Sequence, residues 1–179
     1  MSVLKRQFRF IAIVALVLIV LEAINVLTAN SLNIFGVIPR ELHSLPFIFT
    51  APFLHGSPSH LITNLVPLLL FMWLIMQWGN KTFWLTTLTV FLVGGLGVWL
   101  FGRSAIHIGA SGIVYGYFGF LLLAGFRSKQ IHYLVISVLV ALLYGGMLFG
   151  IFPTKAFVSF EYHLFGFIGG LIAAWYWVK

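Results

Sequence analysis

Cysteine and aspartate are both absent from the 179 residues, and glutamate occurs only at Glu22, Glu41 and Glu161. Without cysteine there is no disulfide, no thiolate metal site and no thiol nucleophile. Without aspartate, neither an aspartyl dyad nor a Ser-His-Asp triad can be assembled. Charge of either sign is scarce, at 7% of residues, where a soluble domain carries about 25%. Ten Lys and Arg give a net charge of +7. These few cations stand at the ends of apolar runs, which is how membrane orientation is set, so we expect no nucleic-acid partner.

What remains is apolar. Hydrophobic residues make up 61% of the chain, and the mean hydropathy is +1.10. Apolar runs of bilayer-spanning length, about 20 residues, recur from end to end. The expectation is an all-α polytopic membrane protein, a single membrane-embedded domain over residues 1–179. Six helices are predicted at about 8–28, 60–78, 82–101, 111–127, 131–151 and 161–178. The first follows Lys5, Arg6 and Arg9; its apolar stretch is too long for a signal peptide and lacks a clear cleavage site, so it reads as an uncleaved anchor.

Six spans place both termini on one side. With the termini cytoplasmic, the inside holds Lys5, Arg6, Arg9, Lys81, Arg127, Lys129 and Lys179, and the outside Arg40, Arg103 and Lys155. That asymmetry fits the positive-inside rule. The connection from Ala29 to Ser59 is long and apolar, but Pro39, Pro46, Pro52 and Pro58 forbid a single spanning helix. It is expected to fold as a structured loop partly in the outer interface.

In this arrangement helices two, four and six all start on the outer side. Their first turns hold His60 and Asn64, then Ser111, then His163. Three helices thus bring polar side chains to one depth, and polar groups inside a membrane usually mark function. His60 and Asn64, four apart, share a helix face. Ser111 stands in Gly109-Ala110-Ser111-Gly112, at a loop-to-helix junction where free backbone N–H groups favour negative charge, as an acyl-transfer oxyanion requires. Gly112 and Gly116 form one G-x-x-x-G and Gly166 and Gly170 another; such faces let helices approach closely. If they pack together, His163 arrives beside Ser111 and can accept its proton. Tyr115, one turn after Ser111, is a candidate to orient His163 by ring packing. Glu161, two residues from His163, lies on a different side of its helix and is not assigned to the site.

These residues resemble the rhomboid family of intramembrane serine proteases. The likeness runs from about His55 to Gly170 and consists of His55, His60 and Asn64, then the G-x-S-G run with Tyr115, then His163-x-x-Gly166-x-x-x-Gly170. The resemblance implies a six-helix rhomboid-like bundle with its core at about 40–178. It implies a dyad of Ser111 and His163, and an oxyanion hole from His60, Asn64 and the Ser111 amide. Gly109 would keep the approach to the serine open, and Tyr115 would pack on His163. No metal or cofactor is implied. The substrate would be the transmembrane segment of another protein, cut near the outer face beside a small residue, with helix-weakening residues helping. Many family members carry a Trp-Arg pair where this chain has Pro46-Phe47, and a Glu where it has Gln77-Trp78-Gly79-Asn80.

Other readings were weighed against this one. His55 is expected to steady the first loop; His43, His107 and His132 read as interfacial and stay unassigned. A catalytic zinc lacks an H-E-x-x-H and accompanying acids. A transporter or channel lacks mid-span acids apart from Glu22 and shows no inverted repeat. The nearest alternative is a non-catalytic relative that binds membrane clients, which typically lacks the Ser or His present here. A bacterial inner membrane is the expected location, and oligomeric state is left open.

Overall fold

The computed structural model describes residues 2–153 and 158–178; Lys155 and Lys179, used above for orientation, lie outside the described residues. Six α-helices order the described chain: α1 Val3–Leu27, α2 Pro58–Ile75, α3 Asn80–Phe101, α4 Ser111–Ser128, α5 Ile131–Tyr144 and α6 Phe160–Trp177. No strand forms among the described residues; Val37 and His107 share an isolated antiparallel bridge.

Capping explains where the helices begin. α1 starts earlier than the apolar run suggests because Ser2 caps it, its hydroxyl accepting from the Lys5 amide at 3.4 Å, so all three basic residues lie within the helix. Ser57 likewise caps α2, accepting from the His60 amide at 3.2 Å, with Pro58 at the first helical position, where its missing N–H costs nothing. Ser159 caps α6, accepting from Tyr162 at 3.3 Å. α5 ends at Tyr144 rather than at 151: the chain continues through Gly145-Gly146 as a tighter 3₁₀ segment, Gly145–Ile151. The Ala29–Ser59 connection is a structured loop of three 3₁₀ turns, Ser31–Phe35, Leu42–Phe49 and Ala51–Phe53.

Four of the helical stretches are long and apolar enough to cross a membrane by length and composition: α1, Pro58–Trp78, α3 and Ile131–Ile151. α4 and α6 are not among them, for a physical reason. Their first turns are polar and their faces rich in glycine, because each packs mainly on protein. Every residue of α4 from Ser111 to Leu121 is buried, as expected for a helix enclosed on all sides. α2, α3, α5 and α6 surround it, with Phe71, Ile75, Val90, Phe118 and Phe120 among the fully enclosed side chains. Trp78 ties the end of this second stretch to α4 and α5: its indole N–H donates to Ser128 Oγ at 2.7 Å and its ring stacks on Tyr133 at 4.2 Å.

Candidate active site

The starts of α2, α4 and α6 meet at one end of the bundle. α4 and α6 touch backbone to backbone. A Cβ on Gly166 would run into the Gly112 carbonyl, and one on Gly170 into the Gly116 carbonyl. The two G-x-x-x-G faces therefore interlock in register, since any side chain larger than hydrogen would separate the helices. This registry brings the first turns of α4 and α6 to one level. There Tyr115 lies flat on His163, ring centroids 4.0 Å apart and planes 7° from parallel. Ser111 stands one turn before Tyr115, on the same face of α4. Ser111 and His163 are each 7% exposed.

The tautomer of His163 follows from its partner. Nδ1 lies 2.9 Å from the Gly150 carbonyl oxygen. A carbonyl only accepts, so Nδ1 carries the hydrogen and the neutral ring keeps its lone pair on Nε2. That is the form a general base needs. Among the described residues no hydrogen bond joins Ser111 Oγ to His163, and such contacts are often loose until substrate closes them.

The third helix supplies donors. Gly109 has φ +116°, and a Cβ there would lie 2.8 Å from His60 Cε1 and 3.8 Å from Asn64 Nδ2. Glycine is thus required twice over, by its backbone angle and by the imidazole beside it. Asn64 is 8% exposed, and its Nδ2 has no hydrogen-bond partner among the described residues. A buried donor without an acceptor is costly, and here it stands beside the loop that leads into the serine. His55 closes this loop from behind: its Nε2 accepts from the Ala110 amide at 3.2 Å, while Gly109 N donates to Ala51 O at 2.9 Å.

The Rhomboid domain family model matches residues 42–179, most of the chain, including every residue of this cluster. The chain belongs to the rhomboid family. Similar proteins include the uncharacterized protein Rv1337 of Mycobacterium tuberculosis, 34% identical in an alignment that covers 93% of this chain and 71% of that protein. The uncharacterized protein ML1171 of Mycobacterium leprae is 35% identical in an alignment that covers 88% of this chain and 66% of that protein.

Three features of this rhomboid were not read from its sequence. Glu161 does not approach the site as an orienting acid; it pairs with Arg103 Nε at 3.4 Å and accepts from the Arg103 amide at 3.3 Å. His107, left as interfacial, is buried; its Nε2–H donates to Arg103 O at 3.0 Å, so its Nδ1 accepts from Ser159 Oγ at 2.6 Å. Together these tie the loop before Ser111 to the start of α6. Gly150 is the third. A lone acid two residues from the histidine was a readable hint for Glu161; a carbonyl acceptor leaves no sequence signal.

His55, in the loop between the last 3₁₀ turn and α2, carries a pH prediction. Burial pushes its imidazole down to about 4, and protonation would remove the lone pair that holds Ala110. The folded state binds the proton less readily than the unfolded chain does. Stability is therefore complete above the ordinary histidine value of about 6.5 and declines as pH falls from there toward 4. Thermal unfolding in detergent across that range should show this fall, and His55→Gln, whose amide oxygen can still accept, should flatten it. An unchanged slope in the variant would exclude His55 as the source.

Proposed function

We propose that this rhomboid is an intramembrane serine endopeptidase in which Ser111 is the nucleophile and His163 the base. The observation that carries the reading is the flat stack of Tyr115 on His163 above the interlocked glycine faces. It holds an imidazole of defined tautomer against the helix face that bears Ser111.

The chemistry follows in order. His163 Nε2 takes the hydroxyl proton as Ser111 Oγ attacks the carbonyl carbon of the scissile peptide. The oxyanion that forms receives hydrogen bonds from Asn64 Nδ2, from His60 and from the Ser111 amide at the N-terminus of α4, where the helix dipole also favours negative charge. The tetrahedral species collapses, His163 returns the proton to the leaving amine, and the acyl group stays on Ser111. Water, deprotonated by the same histidine, then releases it. No metal or cofactor takes part.

The substrate is the transmembrane segment of another membrane protein, cut near the face where these first turns meet. All six helices cross the bilayer. Among the described residues Arg40 and Arg103 stand at the site end, whereas Lys5, Arg6, Arg9, Lys81, Arg127 and Lys129 belong to the opposite end, which is thereby cytoplasmic together with both termini. A bacterial inner membrane is the matching location. A rhomboid that binds clients without cutting them has no use for an imidazole held in its basic tautomer, so we do not prefer it.

A fluorophosphonate probe tests the reading. Labelling confined to Ser111, and lost in a folded His163→Ala variant, is expected. Labelling that survives without His163, or that maps to another residue, would exclude the dyad.

A further inference from the structure

His163 has no carboxylate to orient it. Among the described residues Glu161 is turned to Arg103, and no aspartate exists in the chain. The group that occupies the third position is the main-chain carbonyl of Gly150, 2.9 Å from Nδ1. Gly150 belongs to the 3₁₀ segment Gly145–Ile151, in which no residue is buried; Phe149 beside it is 74% exposed. This exposed strap is anchored upstream. α5 is held to α4 where Gly125 N donates to Ser137 Oγ at 3.0 Å, and Tyr144 packs edge-on against Phe71 at 4.9 Å. At its other side the strap presses on the site: a Cβ on Gly150 would collide with the Tyr115 hydroxyl. Position 150 thus meets the edges of both rings of the stack.

We propose that the Gly150 carbonyl acts as the positioning group for His163, in place of the acid of a soluble triad. It selects the Nδ1–H tautomer and turns Nε2 toward Ser111. An uncharged acceptor suits a membrane interior, because burying a carboxylate there costs far more than burying an amide. The arrangement also makes the base depend on the strap. The imidazole is oriented while Gly145–Ile151 lies against Tyr115, and it is free to turn when the strap moves away. For its kinetic consequence the proposal rests on the Ser111–His163 reading; for its spectroscopic consequence it does not.

The test weakens one carbonyl without removing a side chain. Replacing Ile151 by its α-hydroxy acid converts the Gly150 carbonyl from an amide to a poorer ester acceptor. The same change at Phe152 loosens the strap, because it removes the Phe152 N donation to Phe149 O at 3.4 Å, but leaves Gly150 an amide. Histidine labelled with 15N, in detergent above neutral pH, reports the tautomer, with His163 assigned by comparison with His163→Ala. The unmodified protein should show Nδ1–H at His163. The ester at 151 should mix in the other tautomer and lower kcat about tenfold, the effect of losing a neutral hydrogen bond, with KM nearly unchanged. The ester at 152 should do neither. A protonated Nε2 in the unmodified protein, or identical behaviour of the two esters, would overturn the proposal. Should the protein cut no peptide at all, the tautomer measurement still decides the role of Gly150, and the failure then belongs to the peptidase reading.

Discussion

Ser111→Ala should remove all measurable cleavage of a transmembrane substrate by the purified protein, while the melting temperature in detergent should change little. Both halves follow from the site. In the proposed mechanism the serine supplies the oxygen to which the acyl group is transferred, and no cysteine or aspartate exists to replace it. Removal of a nucleophile acting with its base costs as much as removal of the pair, on the order of 10⁶ in kcat in a soluble serine protease. The fold loses little, because the neighbours of Ser111 are held by other means. Ala110 N is bonded to His55, Gly112 packs on Gly166, and the helix is enclosed from Ser111 to Leu121. Cleavage by Ser111→Ala at the native rate, with no contaminating peptidase, would exclude the proposed mechanism. A variant that fails to fold is recognised by its lost thermal transition, and Ser111→Gly, which also lacks the hydroxyl, then serves in its place.

Gly170→Val and Gly166→Val should unfold the protein or strip it of activity, a loss comparable in consequence but different in kind. A Cβ at 170 would meet the Gly116 carbonyl oxygen, with its carbon and the Phe120 amide nitrogen both 2.7 Å away. A Cβ at 166 would meet the Gly112 carbonyl, its carbon at 2.9 Å. These obstacles are backbone and cannot rotate aside. The helices must separate, at about 1–3 kcal/mol or more for an overpacked site. Separation also shifts His163 relative to Ser111, and a displacement near 1 Å can cost about 10² in rate. Activity should therefore fall even in a variant that still folds, such as Gly170→Ala. Gly146→Ala is the control, since nothing lies within 4 Å of a Cβ there; surface changes of that kind stay within about ±0.5 kcal/mol. Denaturant unfolding in detergent, with cleavage measured on the same samples, separates the two effects. Equal stability of Gly170→Val and Gly146→Ala would refute the interlock.

Much of the architecture was legible because it depends on local patterns. The scarcity of charge and the repeated apolar runs announced a helical membrane protein, and the clustered prolines from 39 to 58 announced a loop. The errors at helix ends have local causes that composition hides. Ser2 caps α1 ahead of its basic residues, and Gly145-Gly146 turns the end of α5 into a 3₁₀ strap. The paired glycines on α4 and α6 were legible as faces but not as partners. Spacing states that a backbone can approach, whereas only the packed structure states which one does.

By itself, then, the sequence determined which chemistry was excluded and which residues were available for what remained. It left a serine, two histidines and an asparagine at the starts of three helices, without thiol or aspartate. Those constraints reside in side-chain identity and helical periodicity, which are properties of the chain before it folds. The tertiary structure decided the rest: that Glu161 serves Arg103, that His107 is buried against Ser159, and that the carbonyl of Gly150 lies against Nδ1 of His163. Every residue carries a carbonyl, so nothing in the order of amino acids marks the one that matters. Its role arises only when a strap 13 residues upstream of the histidine is folded back onto it.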